Sequence, residues 1–105
     1  FLSKMKSTAY IVNTARGEII DNESLYQAIV SGQIKGAGLD TVSPEPTTRD
    51  NILLNLPEEY ADRIIFSPHI GGITTSYFYQ AHRRNWINID AALKGQHPKH
   101  IVNGL

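Results

Sequence analysis

The chain has 105 residues, with ten Lys and Arg against ten Asp and Glu, four His and no Cys. That length allows one small core, and a formal charge of zero offers no basic field for nucleic acid or an anionic lipid surface. The lack of Cys excludes a disulfide framework and thiolate chemistry, and His69, His82, His97 and His100 do not have metal-ligand spacing.

Phe1, Leu2 and Met5 look like the last turn of an amphipathic helix that starts upstream, so the chain is expected to be a piece of a longer polypeptide. Between Thr8 and Ala15, the apolar, partly β-branched run Ala9-Tyr10-Ile11-Val12 predicts a strand buried on both faces, as in a parallel sheet. Asp21 is placed to cap a following helix, with Ile20 and Leu25 as a hydrophobic staple and Leu25, Ala28 and Ile29 as its apolar stripe. Gly32 should close it. The small-residue run Gly36 to Val42 predicts a second strand. Pro44, Pro46 and Pro57 frame an irregular stretch with a helical turn over 51–56, and Arg63 to Phe66 reads as a third strand. After Ser67-Pro68-His69-Ile70-Gly71-Gly72, one of Thr74, Thr75 or Ser76 should cap a long helix carrying Phe78, His82, Trp86, Ile89 and Leu93 on one stripe, closed by Gly95. The tail 96–105 is polar and extended apart from Ile101 and Val102, as expected of a segment that docks elsewhere.

No apolar run approaches the roughly 18 residues of a spanning helix, so a cytoplasmic protein with no membrane partner is expected. Asn22-Glu23-Ser24 fits a glycosylation triplet, but nothing else points to secretion.

Strand, helix, strand, connection, strand, helix is the alternation of an α/β fold with a parallel sheet. Three strands are about half of a doubly wound sheet, whose ligands bind at the carboxyl ends of the strands. Arg16 follows the first predicted strand, Glu45 lies past the second and His69 past the third. Each alone has a plain explanation: a solvated cation, a loop acid between prolines, a hydrogen-bonded turn residue. Together they are what reduction of a 2-oxo acid needs. Arg offers a planar fork for a carboxylate, His exchanges a proton with the developing alkoxide, and a nearby carboxylate holds the imidazole and favours its protonated form.

Three ordered motifs, Val12-Asn13-Thr14-Ala15-Arg16-Gly17, then Gly36 to Val42 with Glu45-Pro46, then Ser67-Pro68-His69-Ile70-Gly71-Gly72 with Thr74, resemble the D-isomer-specific 2-hydroxyacid dehydrogenases, the family of the phosphoglycerate dehydrogenases. The resemblance implies the second half of a Rossmann-type doubly wound parallel sheet, with 1–95 in the dinucleotide-binding domain and 96–105 returning to a substrate domain. It implies Arg16 on the substrate carboxylate, His69 as acid/base and Glu45 as its partner. Asp40 would hydrogen-bond the nicotinamide carboxamide, and Thr14, Ala15, Arg16, His69, Ile70, Gly71 and Gly72 would line the nicotinamide side of the cofactor. NAD is the implied cofactor, with NADP left open. A small 2-oxo or 2-hydroxy acid is the implied substrate, and a homo-oligomer the expected assembly.

The pair Gly36 and Gly38 imitates a dinucleotide fingerprint, but position 41 is Thr and the pair falls within a predicted strand, so it is read as a decoy. The family's phosphate loop is expected upstream of Phe1. The rival reading in another class is an NAD-sensing transcriptional corepressor on the same fold. Formate dehydrogenases of the same superfamily carry Gln where Glu45 stands.

Overall fold

The run Tyr10–Asn13 forms strand β1 in the computed structural model, which describes residues 1–102. Helix α1 (Asn22–Val30), strand β2 (Gly36–Leu39), strand β3 (Ile64–Phe66) and helix α2 (Thr75–Leu93) follow, with short 3-10 turns at Leu2–Lys4, Gly17–Ile19, Ile52–Asn55 and Glu58–Arg63. The three strands are parallel in the order β1-β2-β3, with Val12 opposite Gly38 and Gly38 opposite Ile65. This is the α/β, Rossmann-type arrangement the alternation predicts. The second crossover is the irregular stretch expected, its helical turn falling at Ile52–Asn55 with a further 3-10 turn at Glu58–Arg63, because Pro44, Pro46 and Pro57 interrupt any longer helix between β2 and β3.

The chain divides into two compact units, Phe1–Gly71 and the segment from Gly72 onward. In the first, Asp21 caps α1 by accepting the Ser24 amide at 2.8 Å. Leu25, Ala28 and Ile29 face inward as the stripe requires and meet Ile34, Ala37, Leu39, Val42, Leu53 and Ile64 in one core, with Ile20 packed at its edge. Leu25 is fully buried. Leu25→Ala should therefore destabilise the folded protein by about 2–5 kcal/mol, read as a lower urea midpoint with an unchanged slope.

Within this segment the expectation that β1 is buried on both faces is not met. Tyr10 is 59% and Val12 71% exposed, and Ile65 on the same face is 72% exposed. The reason is one-sided packing: the core residues of α1 and of the 52–55 turn sit with Ala37, Leu39 and Ile64, leaving the Val12-Gly38-Ile65 face uncovered.

In the second unit, Thr74 caps α2 by accepting the Tyr77 amide at 3.0 Å. Gly95, with φ 67°, closes it, while the Gln96 amide reaches the Ala91 carbonyl at 2.8 Å and the Gly95 amide the Ala92 carbonyl at 3.0 Å. No residue of α2 is buried, and Phe78, Trp86, Ile89 and Leu93 of the predicted stripe stand exposed. The tail turns back onto its own helix, Asn88 bonding both the carbonyl and the amide of Lys99 at 3.1 and 3.0 Å. Asn103, Gly104 and Leu105, the end of the predicted tail, lie outside the described residues. Among the described residues no helix is long and apolar enough to cross a membrane.

Candidate functional site

The carboxyl ends of the strands carry the polar groups. After β1, the buried Asn13 folds the chain into a tight turn, its Oδ1 accepting the Ala15 amide at 3.0 Å and its Nδ2 donating to the Arg16 carbonyl at 2.8 Å. This is an Asx turn, and it sets Thr14, Ala15 and Arg16 on the surface. Gly17 follows because a Cβ there would run into the backbone of Val42 and Ser43. Arg16 thus stands beside the loop after β2. Its Nη1 donates to the carbonyl of Ala15 at 2.7 Å, and the guanidinium is otherwise exposed.

That second loop is anchored by two asparagines. Asn22 Nδ2 and Asn51 Nδ2 donate to the one carbonyl of Ser43, at 2.6 and 3.0 Å, and Thr47 Oγ1 donates to the Val42 carbonyl at 3.2 Å. Neither asparagine was expected to matter. The side chain of Asn22 is engaged by the fold in this way, whatever its triplet suggests. Glu45 lies on the loop so held, and its Oε1 is 2.7 Å from Nδ1 of His69. The side chains of His69 and Glu45 are 47% and 34% exposed, so the pair is open to a small molecule.

His69 itself has φ 54°, in the left-handed region where non-glycine residues are rare and cluster at functional sites. Asp40, buried at the end of β2, receives the segment around it: Ser67 Oγ and the Ile70 amide donate to Oδ1, and the Gly71 amide to Oδ2 at 2.7 Å. The Ser67 hydroxyl first, then the Gly71 amide, hold the Asp40 carboxyl below its ordinary value of 3.8, with the charge of His69 adding the smallest share. A group with a depressed folded value contributes stability that is complete above its ordinary value and lost as the pH falls through the lower one. Wild-type protein should accordingly lose its stability advantage over Asp40→Asn as the pH drops below that ordinary value. Urea midpoints of the two across the acid range check this.

A cleft of about 450 Å³ is lined by Asp40, Glu45, Thr47, Leu54, Phe66 and His69 among others, and Arg16 is not part of its wall. A wider depression of about 560 Å³ beside Ile11, Ile20 and Gln27 carries Asp21 and Glu23 but no acid/base pair. The geometry therefore brings Glu45, His69 and Asp40 together and leaves Arg16 on the neighbouring turn. Gly36 and Gly38 lie inside β2, as a decoy should.

The profile of the D-isomer specific 2-hydroxyacid dehydrogenase, NAD binding domain, matches residues 1–71. The chain belongs to the D-isomer specific 2-hydroxyacid dehydrogenase family. Among its relatives is glyoxylate/hydroxypyruvate reductase B of Pectobacterium carotovorum, 38% identical over 102 residues, which are 97% of this chain and 30% of the relative. The NAD-complexed D-isomer specific 2-hydroxyacid dehydrogenase of Lactobacillus delbrueckii superposes with a TM-score of 0.65 at 32% identity, over 97% of this chain and 34% of that one. The corresponding enzyme of Xanthobacter autotrophicus, in complex with NADPH and MES, does so with a TM-score of 0.78 at 26% identity, over 97% and 39%. The chain thus spans about a third of such dehydrogenases.

Two local features bear on how a dinucleotide would fit: the carboxylate of Asp40 and the start of α1. Among the described residues Asp40 Oδ2 accepts only the Gly71 amide, leaving a lone pair that suits an amide donor, and a Cβ at Gly71 would meet that oxygen at 2.8 Å. The start of α1, by contrast, carries Asp21 and Glu23, whose charges oppose a phosphate there.

Proposed function

We propose that this segment supplies the nicotinamide-side and acid/base half of an NAD(P)H-dependent reductase of small 2-oxo acids, acting in reverse as a D-2-hydroxyacid dehydrogenase. The observation that carries the reading is the 2.7 Å contact between Glu45 Oε1 and His69 Nδ1 at the carboxyl edge of a parallel sheet. With Nδ1 donating to Glu45, Nε2 is the nitrogen left to exchange a proton with substrate. In reduction, the substrate carbonyl oxygen takes the Nε2 proton as it becomes an alkoxide, and in oxidation the hydroxyl returns it. Glu45 holds the ring and offsets the imidazolium charge. Arg16 grips the substrate carboxylate through its fork, which orients the carbonyl toward His69. Thr14, Ala15, Ile70 and Gly71 would border the nicotinamide, and Asp40 would accept from its carboxamide. When bound, the reduced nicotinamide supplies the hydride.

The names of the relatives suggest glyoxylate and hydroxypyruvate as first substrates to try. Full-length protein carrying this segment should oxidise NADH or NADPH with these acids and fail with aldehydes or ketones of similar size that lack the carboxylate. Equal rates with and without a carboxylate would overturn the reading.

A further inference from the structure

Ser67 ties three parts of the site together. Its amide donates to the Leu39 carbonyl at the end of β2 at 2.9 Å, its carbonyl accepts the His69 amide at 2.9 Å, and its hydroxyl donates to Asp40 Oδ1. Asp40 also accepts the Ile70 and Gly71 amides at 3.0 and 2.7 Å. One carboxylate therefore holds the chain on both sides of His69. Between these anchors His69 keeps φ at 54°, a backbone state that persists where surrounding contacts over-determine it.

We infer that Ser67 is a positioning residue for His69, its hydroxyl acting through Asp40 to hold the 67–71 turn so that Nδ1 faces Glu45. The inference rests on the reading of His69 as the acid/base. Removing the hydroxyl leaves Asp40 its two amide donors, so the turn survives but loses one of its clamps. The imidazole then spends time in backbone states where the 2.7 Å bond to Glu45 is broken. Turnover falls in proportion to that time. Substrate grip does not, because the bonds holding the Asn13–Arg16 turn do not involve Ser67. Ser67 is itself exposed, so Ala leaves no buried cavity, and Thr keeps the hydroxyl.

The test compares wild type, Ser67→Ala and Ser67→Thr in the full-length protein. Loss of a hydrogen bond to a charged acceptor corresponds to roughly a tenfold to hundredfold change. Ser67→Ala should lower kcat by about that factor, with KM for the 2-oxo acid and the Kd of NADH within about twofold, and Ser67→Thr should restore kcat. A second readout needs no cofactor: proton–nitrogen NMR of the imidazole should show the bonded Nδ1 proton of His69 weakened in Ser67→Ala and recovered in Ser67→Thr. Wild-type kcat together with an unchanged imidazole signal in Ser67→Ala would overturn the inference. So would a loss of NADH affinity that accounts for the whole effect, since Asp40 would then be serving the cofactor alone. Should the wild type turn over no 2-oxo acid, the proposed function fails, and the imidazole comparison still decides the role of Ser67.

Discussion

Replacing His69 with Asn in the full-length protein is expected to lower kcat for 2-oxo acid reduction by about 10²–10⁴-fold, the usual share of a positioned general acid. Asn is the informative choice. His69 sits at φ 54°, and Asn is among the few residues that tolerate this region, so the backbone should hold while the titratable ring is lost. The Ser67, Ile70 and Gly71 bonds to Asp40 use no atom of the His69 side chain and should persist. Steady-state rates and a separate NADH titration distinguish the outcomes. Loss of turnover with near-normal NADH affinity supports the assignment, whereas loss of both in step would mean that the turn, not the proton, was removed.

Arg16→Lys should raise KM for the 2-oxo acid by roughly tenfold to a hundredfold, as expected when a charge-assisted pair of hydrogen bonds is reduced to a single point charge. The side chain is exposed and, among the described residues, bonds only its neighbour's carbonyl, and Asn13 holds the turn through backbone atoms of Ala15 and Arg16. Lys can therefore replace it without disturbing the fold. NADH affinity should stay nearly unchanged. Equal weakening of substrate and NADH would contradict the role given to Arg16.

How far these features were legible in the sequence depended on how local their causes are. Asp21 on the Ser24 amide and Thr74 on the Tyr77 amide are bonds across three residues, so cap, stripe and closing glycine could be read as a pattern. The burial of β1 could not, because it depends on which face other elements cover. The second crossover is half legible: its three prolines and the turn over 51–56 stand in the sequence, but the 3-10 turn at Glu58–Arg63 carries no apolar period to announce it. In the site, Arg16, Glu45 and His69 stood out by their places after the strands, which a parallel sheet must bring to one edge. The contacts that hold them were not visible. Asn22 and Asn51 reach Ser43 across 21 and 8 residues, and Ser67 reaches Asp40 across 27. Such bonds leave no periodic trace. Only Asn13 had a usable signal, an Asn at a strand end two residues before the amide it caps.

The most direct test of the central claim is the product formed from hydroxypyruvate by the full-length protein with NADH or NADPH. Stoichiometric cofactor oxidation and glycerate of the D configuration are expected, with both rates lowered together by His69→Asn. Glycerate of the L configuration, or turnover that survives that substitution undiminished, would contradict it.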